Sequence, residues 1–139
     1  MIDTEFYLRC IKTLEQACTL LQKAEPDSIE YELYRSACVK EFEIILEQSG
    51  KLLKKCLRAY KHSAREADKL TFKDIFRHAA HHGLISLEET ERWLQYRDNR
   101  NNTAHDYGVN FAQKTLVLLP QFITDASRLQ QVISQHSHD

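Results

Sequence analysis

Apolar residues recur along most of this chain at spacings of three and four, the interval that lines up one face of an α-helix. Phe6, Cys10, Leu14, Cys18 and Leu21 form the first such stripe and predict a helix from about Thr4 to Ala24. Pro26 stops it, and Asp27-Ser28 can cap the next. A second stripe through Leu33, Ala37, Val39, Phe42, Ile45, Leu46, Leu52, Leu53, Cys56, Leu57 and Tyr60 predicts one long helix from Ile29 to about Tyr60. It is expected to bend at Gly50, since glycine inside a helix costs about 1 kcal/mol relative to alanine.

His62 to Leu70 reads as a polar connection. Thr71-Phe72-Lys73-Asp74 then opens a short helix with apolar Phe72, Ile75, Phe76 and Ala79, and Gly83 suits its end. Ser86-Leu87-Glu88-Glu89 is a capping box that starts a further helix carrying Trp93 and Leu94. That helix is expected to fray over Asn99 to Thr103, where short polar side chains bond their own backbone. A last helix from about Asn110 holds Phe111, Leu116, Leu119, Phe122, Ile123, Leu129, Val132 and Ile133, with a kink expected near residues 116–120 from Pro120. The tail, about residues 135–139, is expected to be disordered.

No strand signal competes, and three glycines and two prolines are few for a β protein. The expected fold is all-α, an up-and-down bundle of four or five helices. A chain of 139 residues accommodates one domain spanning residues 1–139 with one core. No apolar run approaches the roughly 18 residues of a membrane span, and the N-terminus lacks a signal pattern. A cytoplasmic protein with no membrane contact is expected. Cys10, Cys18, Cys38 and Cys56 match no metal or redox spacing and sit among apolar residues, so they are expected to be reduced core cysteines.

The net charge of -1 hides an asymmetry. Residues 25–48 hold seven acids against two bases; residues 51–73 hold eight bases, Lys51, Lys54, Lys55, Arg58, Lys61, Arg65, Lys69 and Lys73, against two acids. A basic segment of that density can follow a nucleic-acid backbone or meet an acidic partner, or be a solvated helix face.

The chemistry concentrates in Arg100-Asn101-Asn102-Thr103-Ala104-His105-Asp106-Tyr107. Arginine clamps a phosphate with a rigid fork of donors, and histidine moves protons near neutral pH. On a straight helix Arg100 and His105 would lie roughly 140° apart. They converge only if the backbone leaves helical geometry, which Asn101-Asn102-Thr103 and Gly108 permit. The alternative is a helix-terminus cluster in which Arg100 pairs with Asp98 or Asp106 and His105 caps a carbonyl.

Arg100-Asn101-x-Thr103-x-His105-x-Tyr107, following Trp93-Leu94-Gln95-Tyr96-Arg97-Asp98, resembles the signature of HEPN-domain proteins. The closer resemblance is to the HepT-type proteins, also called nucleotidyltransferase substrate-binding proteins. Phe42 through Cys56 is similar to that family's long second helix, and Phe72 to Gly83-Leu84-Ile85 to its short helix and turn. The likeness covers about 120 residues, counting the final helix.

The resemblance implies a homodimeric helical bundle with two motif copies facing across a cleft. It also implies a toxin–antitoxin module whose toxin is a ribonuclease, neutralised by a minimal nucleotidyltransferase through binding and adenylation of the motif tyrosine. Carried over by position, Arg100 and His105 are catalytic, Asn101 and Thr103 support them, and Tyr107 is the modification target. RNA, such as a tRNA end, is the expected substrate rather than DNA, because the chemistry uses a 2′-hydroxyl. No metal or cofactor is expected. Lys51, Lys54, Lys55, Arg58, Lys61 and Arg97 are candidate RNA or partner contacts, and Trp93 and Tyr96 can stack on bases or pack in a core or dimer. His78, His81 and His82 lie near a helix end, where cations are favoured without a metal. The alternative function is a non-catalytic substrate-binding or regulatory subunit of a nucleotidyltransferase.

Overall fold

In a computed structural model, residues 2–60, 64–103 and 109–136 are described. Among them are six α-helices and no strand: α1 Glu5–Lys23, α2 Ile29–Leu57, α3 Ala64–Asp68, α4 Phe72–His81, α5 Leu87–Thr103 and α6 Val109–Gln135. The all-α bundle expected from the hydrophobic periodicity is what forms. Helix α2 is its centre, packed against α1, α4, α5 and α6.

The helix ends follow local chemistry. Ser28 accepts the Tyr31 N–H at 3.1 Å and so caps α2. Thr71 and Asp74 form a reciprocal capping box at α4, and Ser86 and Glu89 do the same at α5. At the other end of α4, Gly83 adopts φ 75°. There the Leu84 N–H bonds Ala79 O at 2.9 Å and the Gly83 N–H bonds Ala80 O at 3.0 Å, the double closure that a left-handed residue makes possible.

Three expectations need correction, while α2 is the one long helix expected and runs unbroken through Gly50. The glycine accommodates Phe72, whose ring edge lies 2.8 Å from where a β-carbon would stand. The stretch expected to be a polar connection contains α3, whose Asp68 is bonded by Arg58. Helix α5 does not fray at Asn99 but remains helical to Thr103. Helix α6 reaches Gln135, and the His136 N–H still bonds Val132 O at 3.0 Å, so the tail is ordered further than its polarity implies. Residues 137–139 lie outside the described residues.

One aromatic cluster joins the layers. Trp93 stacks on Phe76 at 4.9 Å and meets Tyr96 edge-on at 5.4 Å, while Phe122 lies 5.0 Å from Tyr96 and 4.7 Å from Phe42. These rings bring α2, α4, α5 and α6 to a common centre. Trp93 and Tyr96 are 0% and 1% exposed, so neither presents a face to a base: the stacking role considered for them is replaced by core packing. Cys10, Cys38 and Cys56 are buried free thiols, as expected, and burial pushes Cys10 up to about 11. Cys18 is only half-buried, its sulfur 3.8 Å from that of Cys38.

Candidate functional site

The C-terminal third of α5 is held from three sides by four consecutive residues. Arg97 faces Glu47 of α2 at 3.7 Å. Lys73 of α4 donates to Asp98 at 2.6 Å. The Asn99 amide donates to the buried Thr115 hydroxyl of α6 at 3.0 Å. Arg100 Nε lies 3.6 Å from Glu43 Oε2 of α2. These contacts explain why residues with a poor helix propensity stay helical: tertiary partners override a local preference worth less than about 1 kcal/mol per residue.

Deeper in the interface, Asp125 of α6 is fully buried and surrounded by donors. Arg92 reaches it through Nε at 2.8 Å and a terminal nitrogen at 2.9 Å, Tyr96 donates its hydroxyl at 2.6 Å, and the Gln121 amide adds a fourth bond at 3.1 Å. Burial, and then the bond to Asp125, push the Tyr96 phenol well above its ordinary range. Tyr96 therefore donates to Asp125 and ties α5 to α6.

Of the residues expected at the site, Arg100 stands on the last turn of α5, its side chain 36% exposed and so open to a ligand. Glu43 is one ion-pair partner of Arg100, Asp98 is engaged by Lys73, and Asp106 lies outside the described residues. Asn101 is exposed on the same turn. The side chain of Thr103, together with His105, Tyr107 and Lys61, lies outside the described residues.

Of the basic segment, Lys54 and Arg58 converge on Asp68 at 3.8 and 2.8 Å, and Lys51 and Lys55 are exposed. Lys51, Lys54 and Arg97 line one groove of about 240 Å³ between α2, α4 and α5. Among the described residues no group of three or more histidines, cysteines or acids could hold a metal ion. Among the described residues no helix is long and apolar enough to cross a membrane.

Residues 3–135 match the family described as "Nucleotidyltransferase substrate binding protein like". The chain belongs to that family. The Haemophilus influenzae protein named "Probable ribonuclease HepT" is 28% identical over 143 residues, an alignment that covers 99% of this chain and 92% of that one. A solved Haemophilus influenzae structure, described as the fold of a substrate-binding domain of a nucleotidyltransferase, superposes with a TM-score of 0.82. It is 25% identical and covers 96% of this chain and 100% of its own. A Thermus thermophilus structure gives a TM-score of 0.67 at 26% identity, covering 95% of this chain and 99% of its own. The bundle fold is thus the fold of this substrate-binding family.

The family resemblance located Arg100 but not the carboxylates that face its helix. Glu43 and Glu47 were legible only as members of an acidic block, although their spacing of four places them on one face of α2. Asp125 carried a clearer signal, as a lone acid among the apolar positions of α6.

Proposed function

We propose that this chain is a HEPN ribonuclease toxin of a nucleotidyltransferase–HEPN pair, cutting RNA at the 100–107 motif as a cytoplasmic homodimer. The observation that carries the reading is Arg100. It is a part-exposed guanidinium on the last turn of a helix pinned by α2, α4 and α6, five residues before His105. The similarity to a protein named a probable ribonuclease supports it.

In the proposed reaction Arg100 holds the scissile phosphate and offsets its growing charge. The 2′-oxygen attacks phosphorus, the bond to the 5′-oxygen breaks, and a 2′,3′-cyclic phosphate remains. The 2′-hydroxyl proton passes to a base and the departing 5′-oxygen gains a proton from an acid. His105 takes one of these roles, and water or the facing copy of the motif takes the other. Asn101 and Thr103 supply neighbouring polar groups. The partner nucleotidyltransferase neutralises the toxin by binding it and adenylating Tyr107, whose phenolic oxygen takes the adenylate from ATP as pyrophosphate leaves, adding bulk and negative charge at the phosphate site.

A second reading is favoured by the family's own description: a substrate-binding or regulatory subunit that binds nucleotide or nucleic acid without cutting. Host growth separates the two. Induced wild-type chain is expected to arrest growth, Arg100→Ala or His105→Ala to be harmless, and the co-expressed nucleotidyltransferase to restore growth with wild-type toxin but fail with Tyr107→Phe. Growth unaffected by the wild-type chain at high soluble yield would favour the regulatory subunit.

A further inference from the structure

One stripe of α2 presents Glu43, Glu47, Gly50, Lys51 and Lys54 toward α4 and α5. Opposite it, Arg97 and Arg100 are three residues apart on one face of α5, which puts their β-carbons about 5–6 Å apart. Glu43 and Glu47, four residues apart, face them as two similar rungs. Beside the Arg97 rung the groove of about 240 Å³ opens, lined by Lys51, Lys54, Arg97, Glu47, Gly50 and Phe72 among others. Three cations line it beside Glu47, and Lys54 also lies 3.8 Å from Asp68.

We propose that this groove binds the backbone phosphate of the nucleotide adjoining the scissile one, so that single-stranded RNA crosses α5 from Arg97 to Arg100. The inference rests on the ribonuclease reading for its direction and gives that site its neighbouring subsite.

The geometry favours an exchangeable anion at Arg97. Its guanidinium lies 5.0 Å from the centre of the Phe72 ring, which holds it in place by a cation–π contact independent of any carboxylate. Glu47 stands 3.7 Å from it, beyond hydrogen-bond reach, and is 57% exposed. A pair of that kind contributes little and yields readily to a phosphate, which arginine grips through two parallel bonds. Gly50 removes a side chain from the α2 wall, which lets Phe72 sit close beneath Arg97.

The test is the affinity of a fluorescent 2′-O-methylated RNA decamer, which cannot be cut, for wild type, Lys51→Gln/Lys54→Gln and an α1 control, Lys12→Gln/Lys23→Gln. Thermal unfolding checks that each variant folds. The groove variant is expected to bind roughly tenfold more weakly at low salt. Its log–log salt slope should shrink by about 0.7, the value for one lost phosphate contact on a single strand. The control should match wild type. Unchanged decamer affinity and slope in the groove variant overturns the subsite. So does loss of nucleotidyltransferase binding with RNA binding intact, which would make the groove a protein-docking surface. Groove-dependent RNA binding by a wild type that cuts nothing supports the subsite and removes the ribonuclease reading instead.

Discussion

Arg100 Nε stands 3.6 Å from Glu43 Oε2, across the contact between α5 and α2. The arginine singled out by the motif is therefore steered by a carboxylate 57 positions earlier in the chain. Glu43 restrains the guanidinium and also lowers its net positive field. Glu43→Gln keeps the shape and removes the charge, so Arg100 loses this contact. Cleavage is expected to fall about two- to fivefold, the scale of a part-exposed ion pair worth up to about 1 kcal/mol. Single-turnover cleavage rates, with the melting temperature as a folding check, decide this; an unchanged rate removes Glu43 from the positioning of Arg100.

Asp125 makes a different demand on the fold. It is a buried carboxylate with four bonds from Arg92, Tyr96 and Gln121. Removing one partner of a buried pair is costly because the other is left uncompensated. Arg92 remains 29% exposed and can turn to water, which places Asp125→Ala at the low end of the range, about 3 kcal/mol destabilised. Urea unfolding measures it. A loss below about 1 kcal/mol, the worth of an ordinary exposed pair, would mean that the network does not anchor α5.

Gly50→Ala tests the close approach of Phe72. Helix propensity alone favours alanine by about 1 kcal/mol. The new methyl would meet the ring at 2.8 Å, and overpacking of that kind costs about 1–3 kcal/mol. The variant is expected to be less stable than wild type, and a raised melting temperature would show that Phe72 yields freely.

The α4 cap gives a pH-dependent signal. Bonds from Thr71 hold the Asp74 carboxyl below the usual carboxylate range. A depressed folded value means the ionised carboxylate stabilises the fold above the unfolded value, about 3.9. That contribution disappears as pH falls through the lower folded value. In Thr71→Ala the Asp74 titration, followed by carboxyl NMR, is expected to move up toward the ordinary value, and the stability lost on acidification should shrink. Loss of the cap itself costs about 1 kcal/mol. An unmoved titration would assign the shift to Arg77 and His78 instead.

Most of the fold was legible because local signals agreed. Pro26 and Ser28 mark the α1–α2 boundary, Thr71 and Asp74 the start of α4, and Gly83 its end. What escaped was nonlocal. Gly50 carried no local sign of its close approach to Phe72, 22 residues away. Asn99 looked like a fraying end because Thr115 lies on another helix. Trp93 and Tyr96 carry large apolar rings with polar tips, a combination that suits stacking and core alike, and only the convergence of α4 and α6 on them selects the core. The motif marked Arg100, while the carboxylates that face it required the packing of α2 against α5.

The central claim is tested most directly by incubating purified protein with total cellular RNA in the presence of a chelator, beside Arg100→Ala and His105→Ala. Discrete fragments ending in 2′,3′-cyclic phosphate, produced by the wild type and abolished in both variants, are the predicted result. Robust cleavage by either variant, or no cleavage by a folded wild type that still binds its nucleotidyltransferase, would contradict it.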